Sequence, residues 1–196
     1  ELKDEKINPI DTFIRINLGK IPLNSAELVK ALFLQSNLFG NDELAKIKQR
    51  EIAHQWDSIE RQLQKEEFWA FISNKDFDAR IELLLEVLYM KAIDDDDDLR
   101  ELLKKEKNPV FRYYNLQVEA IKEFSTIARL WEDIYKLYNT LLDWYSNPTW
   151  YHYIGYLIYT GNSLYDIYKL SIKNEIIRKD DFTQELISEI KLEFKS

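Results

Sequence analysis

Residues 116–145, LQVEAIKEFSTIARLWEDIYKLYNTLLDWY, carry the longest periodic pattern in the chain. Apolar side chains recur there at intervals of three and four, at Leu116, Ala120, Phe124, Ile127, Trp131, Ile134, Tyr138, Leu141 and Tyr145. This spacing places them on one face of an α-helix. We therefore predict one long helix, or a gently broken pair, that packs along this face and ends at Asn147-Pro148.

The helical period continues on both sides of this segment, and few residues interrupt it. The 196 residues include four glycines and four prolines, about 4% together, against ~12% in an average protein. No segment alternates with period two for long enough to require a strand. The sequence therefore predicts an all-α fold, a multi-helix bundle of about seven to nine helices.

Local signals in the first half of the chain set several helix boundaries. Asn24 followed by Glu27 fits a capping box, so a helix is predicted from there to about Gln35. Apolar periodicity predicts further helical structure over 42–72 and over 76–93.

Two more local signals lie further along the chain. The five aspartates at 94–98 predict a solvated loop and a helix start, where negative charge suits the helix dipole. A calcium loop is disfavoured because it would alternate ligands with spacers and use a glycine to turn. Thr149 is expected to cap a helix that runs through Thr160 and is closed by Gly161.

Composition excludes several classes of site. The chain has no cysteine, which excludes disulfides, thiolate zinc sites and a cysteine nucleophile. A formal net charge of −8 argues against a bulk DNA-binding surface, because phosphate affinity comes from clustered lysine and arginine. No stretch approaches the ~20 apolar residues of a membrane helix, so no membrane partner is expected. The chain begins at Glu1 and its single methionine is Met90, so we expect it to be an excised piece or a processed product.

Catalytic constellations are not recognisable in the sequence. The two histidines, His54 and His152, are too few for an HNH-type nuclease. Glu51 and His54 have the Glu-x-x-His spacing of half a di-iron site, but Thr149 stands where the second half would need its glutamate. There is no glycine-rich phosphate loop and no Gly-x-Ser-x-Gly elbow. We therefore predict no catalytic residue and no metal ligand in this chain.

Aromatic residues cluster near the end of the long periodic segment. Seven of them lie close together in sequence: Trp144, Tyr145, Trp150, Tyr151, Tyr153, Tyr156 and Tyr159. One interpretation is a platform on which nucleic-acid bases stack. The other, favoured because lysine and arginine do not accompany the rings, is a helix-packing core whose tyrosine hydroxyls reach the surface.

The segment 13–23, FIRINLGKIPL, differs from the generic helical pattern. Arg15 and Asn17 stand two residues apart at the end of a short helix that the sequence predicts over roughly 9–17, and Gly19 and Lys20 follow in a turn. Exposed backbone N–H groups, the arginine fork and the lysine ammonium could together hold a phosphate. Alternatively, Arg15 and Asn17 pin the turn by hydrogen bonds. The chemistry of these residues leaves both interpretations open.

The same segment carries a family resemblance. The pattern Phe13-x-Arg15-x-Asn17-x-Gly19-Lys20-Ile21-Pro22-Leu23, continued by Ala26-Glu27-Leu28-Val29-Lys30-Ala31-Leu32, is similar to GmrSD-type modification-dependent restriction proteins. The similar part is the C-terminal helical portion of their ParB-like nucleotidase region, a domain of unknown function. Further similar residues are Ile52-Ala53, Trp56-Asp57, Ile59-Glu60, Phe68-Trp69, Phe71-Ile72, Arg80-Ile81 and the stretch YHYIGYL at 151–157. The resemblance spans roughly residues 8–160.

The resemblance implies a domain organisation and a function. Residues 1–40 would be the end of the ParB-like nucleotidase unit, and residues 41–196 its helical extension. Family members act in bacterial, cytoplasmic defence against phage DNA with modified bases or backbones. Their nucleotidase unit carries an Asp-Gly-Gln-Gln-Arg motif, and an HNH nuclease often follows in the same or a partner chain. This sequence contains neither motif. The parent would be an NTP-dependent restriction endonuclease, of which this fragment is not the catalytic part.

The resemblance also implies site residues, cofactors and partners. Arg15, Asn17, Gly19 and Lys20 are the candidate nucleotide-binding residues, and Lys30 is a weaker candidate. Arg15 is expected to contact a nucleotide phosphate, and Asn17 to orient the phosphate or the turn. The fragment itself would hold no cofactor, whereas the parent would use an NTP, with GTP as one candidate, and Mg. The implied partners are an HNH nuclease domain or subunit and modified DNA bound through the parent, and a homo-oligomer is left open.

Two other functions stay open on the sequence. One is a helical protein-interaction module, without a nucleotide or DNA role, whose aromatic face docks another protein. The other is an autonomous nucleic-acid binder, which the acidic charge disfavours unless lysine and arginine segregate onto one face.

Overall fold

Helices fill the part of the chain that the computed structural model describes, which is residues 23–35, 43–121, 123–172 and 179–194. Ten helices and no strand occur in these ranges: α1 (Ser25–Phe33), α2 (Glu43–Leu63), α3 (Glu66–Ile72), α4 (Glu82–Asp95), α5 (Asp97–Leu103), α6 (Pro109–Ala120), α7 (Phe124–Ser146), α8 (Pro148–Thr160), α9 (Leu164–Ile172) and α10 (Lys179–Glu193). None of them is long and apolar enough to cross a membrane. The predicted all-α class is confirmed, with one helix more than the predicted seven to nine.

Helix α7 is the centre of the bundle. One face of it is buried through Ile127, Leu130, Trp131, Ile134, Leu137, Leu141 and Trp144. Helices α2, α3, α4, α6 and α8 all pack against α7. Each fully buried large apolar side chain stabilises the fold by about 1.5–3 kcal/mol relative to exposure. The periodic segment that predicts the fold is therefore also the one around which the bundle is organised.

The periodic segment 116–145 is a broken pair rather than one helix. Its first residues end α6, and most of the remainder forms α7. Between the two helices the backbone of Ile121 and Glu123 is extended. The Thr126 hydroxyl donates to the Ile121 carbonyl at 3.2 Å, so a side chain satisfies a carbonyl at the break. The break lets α6 and α7 pack against each other.

Helix α1 starts with the predicted capping box. Asn24 Oδ1 accepts a hydrogen bond from Glu27 N at 2.9 Å, and the Glu27 carboxylate accepts one from Asn24 N at 3.0 Å. The helix ends at Phe33, two residues before the predicted Gln35. It packs on α4 and α6 and buries four apolar side chains, Ala26, Val29, Leu32 and Phe33. Both its own hydrogen bonds and its packing therefore fix α1.

The predicted pattern over 42–72 forms two helices, α2 and α3, with a break at 64–65. Arg80 connects the two sides of this break. Its guanidinium donates to the Leu63 carbonyl at 2.9 Å and pairs with Glu66 at 2.7 Å. Because Leu63 ends α2, an arginine from outside the helix satisfies a carbonyl that has no partner within it.

The predicted start of α8 at Thr149 is wrong. Asn147 is the N-cap, and its side chain accepts hydrogen bonds from two backbone N–H groups of the first turn at 3.0 and 3.1 Å. Pro148 is the first helical residue, a position that suits proline because its fixed φ is helical and it has no N–H. The other end is as predicted, since Thr160 is the last residue and Gly161 follows with a φ of +111°.

The aspartate run at 94–98 is exposed and contains a helix start, as predicted, but only Asp96 lies outside a helix, so the predicted loop is a single residue between α4 and α5. Asp96 is the N-cap of α5, and its side chain accepts a hydrogen bond from Leu99 N at 2.9 Å. The helix before the run was predicted over 76–93 but begins later, at Glu82. Turns and bends occupy the residues between α3 and α4 instead.

Candidate functional site

The four candidate nucleotide-binding residues, Arg15, Asn17, Gly19 and Lys20, lie outside the residues that the structure describes. The last residue of their motif, Leu23, is described and leads directly into α1. Helix α1 therefore joins the motif to the bundle, and its surroundings are the part of the predicted site that the structure gives.

The N-terminal ends of α1, α4 and α6 lie together. Ser25 Oγ donates to Asn108 Oδ1 at 2.9 Å, and Ala26 N donates to Glu82 Oε1 at 3.3 Å. Asn108 is also the N-cap of α6, where it accepts a hydrogen bond from Phe111 N at 3.2 Å. Helix N-termini carry partial positive charge, and the Glu82 carboxylate offsets part of it at this junction. The junction ties the first turn of α1 to two other helices.

Lys30, the weaker candidate, is held by two carboxylates of α2. Its ammonium lies 2.9 Å from Asp57 Oδ1 and 3.3 Å from Glu60 Oε2, and 5.6 Å from the centre of the Trp56 ring. Burial opposes the charge of Lys30, but its hydrogen bonds and the charges of the two carboxylates raise the pKa of Lys30 above its usual value. The hydrogen bond from Lys30 lowers the pKa of Asp57. Lys30 therefore links α1 to α2 instead of offering a free cation.

Two stacked tryptophans lie beneath this ion pair. The rings of Trp56 in α2 and Trp131 in α7 stack with centres 5.7 Å apart at an angle of 20°. Trp131 Nε1 donates to Gln55 Oε1 at 2.6 Å. Both indoles are fully buried, so this pair anchors the α1–α2 corner to the central helix.

The aromatic cluster around the α7–α8 junction is mostly core. Trp144 and Trp150 are buried. Ring contacts join Tyr145 and Tyr151 to phenylalanines of α3. Tyr151 and Tyr159 are the exceptions, because 38% and 84% of them are exposed. The helix-packing interpretation is therefore confirmed for Trp144, Tyr145 and Trp150, and these three rings do not form a free platform on which bases could stack.

The two histidines are exposed, His54 on α2 and His152 on α8. Glu51, the partner of His54 in the Glu-x-x-His pair, contacts Lys48 at 2.9 Å and accepts a hydrogen bond from Gln55 at 3.0 Å. In the described ranges, no three histidine, aspartate or glutamate side chains lie close enough together to hold a metal ion.

A groove with a volume of about 380 Å³ opens between α4, α6, α7 and α9, and we call it the four-helix groove. Its charged and aromatic lining consists of Lys91 and Asp95 from α4, Tyr113 and Tyr114 from α6, Asp133 and Lys136 from α7, and Tyr168 from α9. The volume lies in the range of small-molecule sites, about 300–1,000 Å³.

The tyrosines of the four-helix groove are neutral hydrogen-bonding groups. Burial raises the pKa of Tyr113, Tyr114 and Tyr168, and the negative charge of Asp133 adds to the effect on all three. Tyr114 donates its hydroxyl proton to the Leu85 carbonyl at 3.3 Å. The groove therefore combines phenols with ammonium and carboxylate groups.

Sequence reasoning did not find the four-helix groove. Its residues come from four helices and have no motif spacing. The signal that exists is indirect: Asp133 lies between buried positions of the apolar face of α7, and Tyr113 precedes a fully buried tyrosine. Such positions indicate the edge of a core, but the sequence does not predict which other helices lie opposite them.

A scan against protein-family models finds no match to this chain, and searches of curated proteins and of solved structures find none either.

Proposed function

We propose that this chain is the helical segment of a bacterial anti-phage protein that restricts modified DNA. In this proposal the segment completes a nucleotide-binding unit and couples it to an HNH nuclease. The candidate phosphate ligands are Arg15, Asn17, Gly19 and Lys20, with the NTP and Mg bound in the parent protein. The residue pattern that runs from Phe13 into α1 supports this assignment.

The observation that supports the proposal best is the way in which α1 is attached to the other helices of the bundle. The helix follows the motif without an intervening loop, and side-chain hydrogen bonds tie its first turn to Asn108 and Glu82. Lys30 ties its last turn to α2, and both Val29 and Phe33 are fully buried. A helix held at both ends moves with its neighbours, so a change at the motif would be passed to the bundle through α1.

The open reading frame on both sides of the segment tests this proposal. We expect an Asp-Gly-Gln-Gln-Arg motif upstream, within a strand-rich region, and an HNH motif downstream or in a neighbouring gene. The first result would supply the nucleotidase unit, and the second would supply the nuclease. A frame that begins just before Glu1, with neither motif nearby, would contradict the restriction assignment.

A second candidate function, a protein-interaction module, is favoured by one exposed surface. The rings of Tyr156 in α8 and Phe194 stack with centres 6.0 Å apart, and 76% of Phe194 is exposed. Tyr159 stands one turn further along α8 and is 84% exposed. Exposed rings in a contiguous patch are typical of surfaces that bind other proteins.

The mass of the chain in solution, measured by light scattering over a range of concentrations, tests this second candidate. A self-association that the double variant Tyr159→Ser, Phe194→Ser abolishes would favour it. A monomer at every concentration would remove the homo-oligomer from consideration. Steeply salt-dependent DNA binding would instead indicate direct phosphate contacts.

A further inference from the structure

The four-helix groove contains charges that no ion pair between described residues includes. Lys136 also lines the groove, but it contacts Glu132 at 2.9 Å, and Glu132, with a smaller effect of Asp133, raises the pKa of Lys136. None of the ion pairs found within the described ranges includes Lys91, Asp95 or Asp133. Lys91 and Asp95 stand four residues apart on α4, a spacing that allows an ion pair, yet they do not form one. Among the described residues, the groove therefore presents one cation, Lys91, and two carboxylates, Asp95 and Asp133, that take part in no ion pair.

The groove has an exposed side with Asp95 and Asp133, the half-buried Lys91, and an aromatic side that is less accessible to water. Tyr113, Tyr114 and Tyr168 line the same groove and are all at least partly buried. Tyrosine rings attract cations through their faces, and their hydroxyls can donate to a carboxylate. Charges that a ligand covers interact more strongly than charges exposed to water. A complementary molecule would thus pair each free charge and cover the half-buried rings of Tyr113 and Tyr168.

We propose that the four-helix groove binds a small zwitterion of the amino-acid class, whose cationic group pairs with Asp133 and Asp95 and whose carboxylate pairs with Lys91. The two carboxylates outnumber the single free lysine, so a basic amino acid matches the groove better than a neutral or an acidic one. The volume of about 380 Å³ accommodates a molecule of this size. The inference concerns helices α4, α6, α7 and α9 and does not depend on the restriction function.

Isothermal titration of the whole chain with three probes tests the ligand class. We expect saturable binding of L-arginine, with weaker binding of L-glutamate because the groove has more negative than positive free charge. Agmatine, which is arginine without its carboxylate, should bind at least about tenfold more weakly, the value of one lost charge-assisted contact. No saturable binding of L-arginine up to about 10 mM, beyond the weak end of specific recognition, would overturn the proposal.

Two substitutions assign the contacts. Asp133→Asn should weaken the binding of L-arginine at least about tenfold. Asp143 is an exposed aspartate on α7 that does not line the groove, so Asp143→Asn should leave the binding of L-arginine unchanged. Lys91→Met should weaken the binding of L-arginine and should not weaken the binding of agmatine, because agmatine has no carboxylate for Lys91 to pair with. Equal effects on both probes would contradict the assigned orientation.

Folding of each variant is measured separately, so that loss of binding is not mistaken for unfolding. Asp133 and Lys91 are not fully buried, and thermal unfolding of both variants should stay close to that of the parent chain. If Asp133→Asn is folded and still binds L-arginine as tightly as the parent chain does, the groove is not the binding site.

Discussion

At the scale of single residues, Lys30 is a lysine that the sequence suggests as a phosphate ligand but that forms ion pairs within the protein. Its position seven residues beyond Leu23, the last residue of the motif, suggests a role at a phosphate. In the structure Asp57 and Glu60 of α2 contact it at 2.9 and 3.3 Å. These partners are 27 and 30 residues away in the chain, so no local pattern reveals them.

Lys30→Met should lower the free energy of unfolding by about 0.5–1 kcal/mol, the usual value of a partly exposed ion pair. Lys48→Met, which removes a pair within α2, should cost less, about 0.3 kcal/mol, because that pair links residues of one helix. Urea unfolding of both variants and of Asp57→Asn provides the measurement. A double variant Lys30→Met, Asp57→Asn that is as destabilised as the sum of the single variants would show that the pair does not interact.

Gly161 is the residue whose backbone requires glycine. Its φ of +111° closes α8, and no neighbouring atom would crowd a β-carbon there. Gly161→Ala should therefore lower stability by about 1–2 kcal/mol through backbone strain alone. Gly155→Ala is the matched variant, since Gly155 lies within α8 and a β-carbon would meet Phe71 Cδ2 at an ordinary 4.0 Å.

Gly155→Ala should raise the free energy of unfolding by about 0.5–1 kcal/mol, because alanine is the better helix former. Thermal unfolding of the two variants measures both effects. The opposite order of stability, with Gly161→Ala above Gly155→Ala, would show that the α8 terminus is not in the left-handed conformation.

At the scale of helices, one carboxylate links the end of α4 to α9. Asp94 accepts hydrogen bonds from Lys169 and from the Tyr165 hydroxyl, the latter at 2.9 Å. The hydrogen bond from Lys169, followed by that from Tyr165, lowers the pKa of Asp94. Burial and the hydrogen bond to Asp94 raise the pKa of Tyr165. The link therefore requires the ionised form of Asp94.

A lowered pKa in the folded state has a definite consequence for stability. The contribution of Asp94 is fully present above the unfolded pKa of about 3.9 and is lost as the pH falls through the lower folded value. Asp94→Asn should therefore be less stable than the parent chain at pH 6, and the difference should shrink between about pH 4 and pH 2. Urea midpoints at a series of pH values measure it, and Lys169→Met should show the same trend. A difference that does not depend on pH would contradict the link.

Some helix boundaries are determined by neighbouring residues in the sequence, and others are determined by packing against distant residues. The capping box of Asn24 and Glu27 could be predicted because both partners lie within one turn. The break between α2 and α3 could not, because Arg80, which satisfies the Leu63 carbonyl, is 17 residues away. The predicted N-cap of α8, Thr149, is wrong because Asn147 and Thr149 both flank Pro148 and both can cap a helix. Pro148 favours the first helical position, which makes Asn147 the N-cap.

At the scale of the whole molecule, the all-α class follows from periodicity, whereas the site does not. Sparse glycine and proline and the apolar face of 116–145 suffice to predict a helical bundle. The four-helix groove depends on the arrangement of four helices, which no local pattern specifies. The nucleotide-binding hypothesis rests on the motif that ends at Leu23, and the structure adds how firmly α1 joins that motif to the bundle.

The central claim, that the motif contributes to a nucleotide site, is tested most directly by NTP hydrolysis in the intact protein that carries this segment. Arg15→Ala is compared with Arg50→Ala, an exposed arginine of α2, with thermal unfolding as a check on folding. The account predicts that Arg15→Ala lowers the hydrolysis rate at least about tenfold, because a charge-assisted phosphate contact is lost, while Arg50→Ala leaves it unchanged. Equal hydrolysis rates in a folded Arg15→Ala variant and the unsubstituted protein would contradict it.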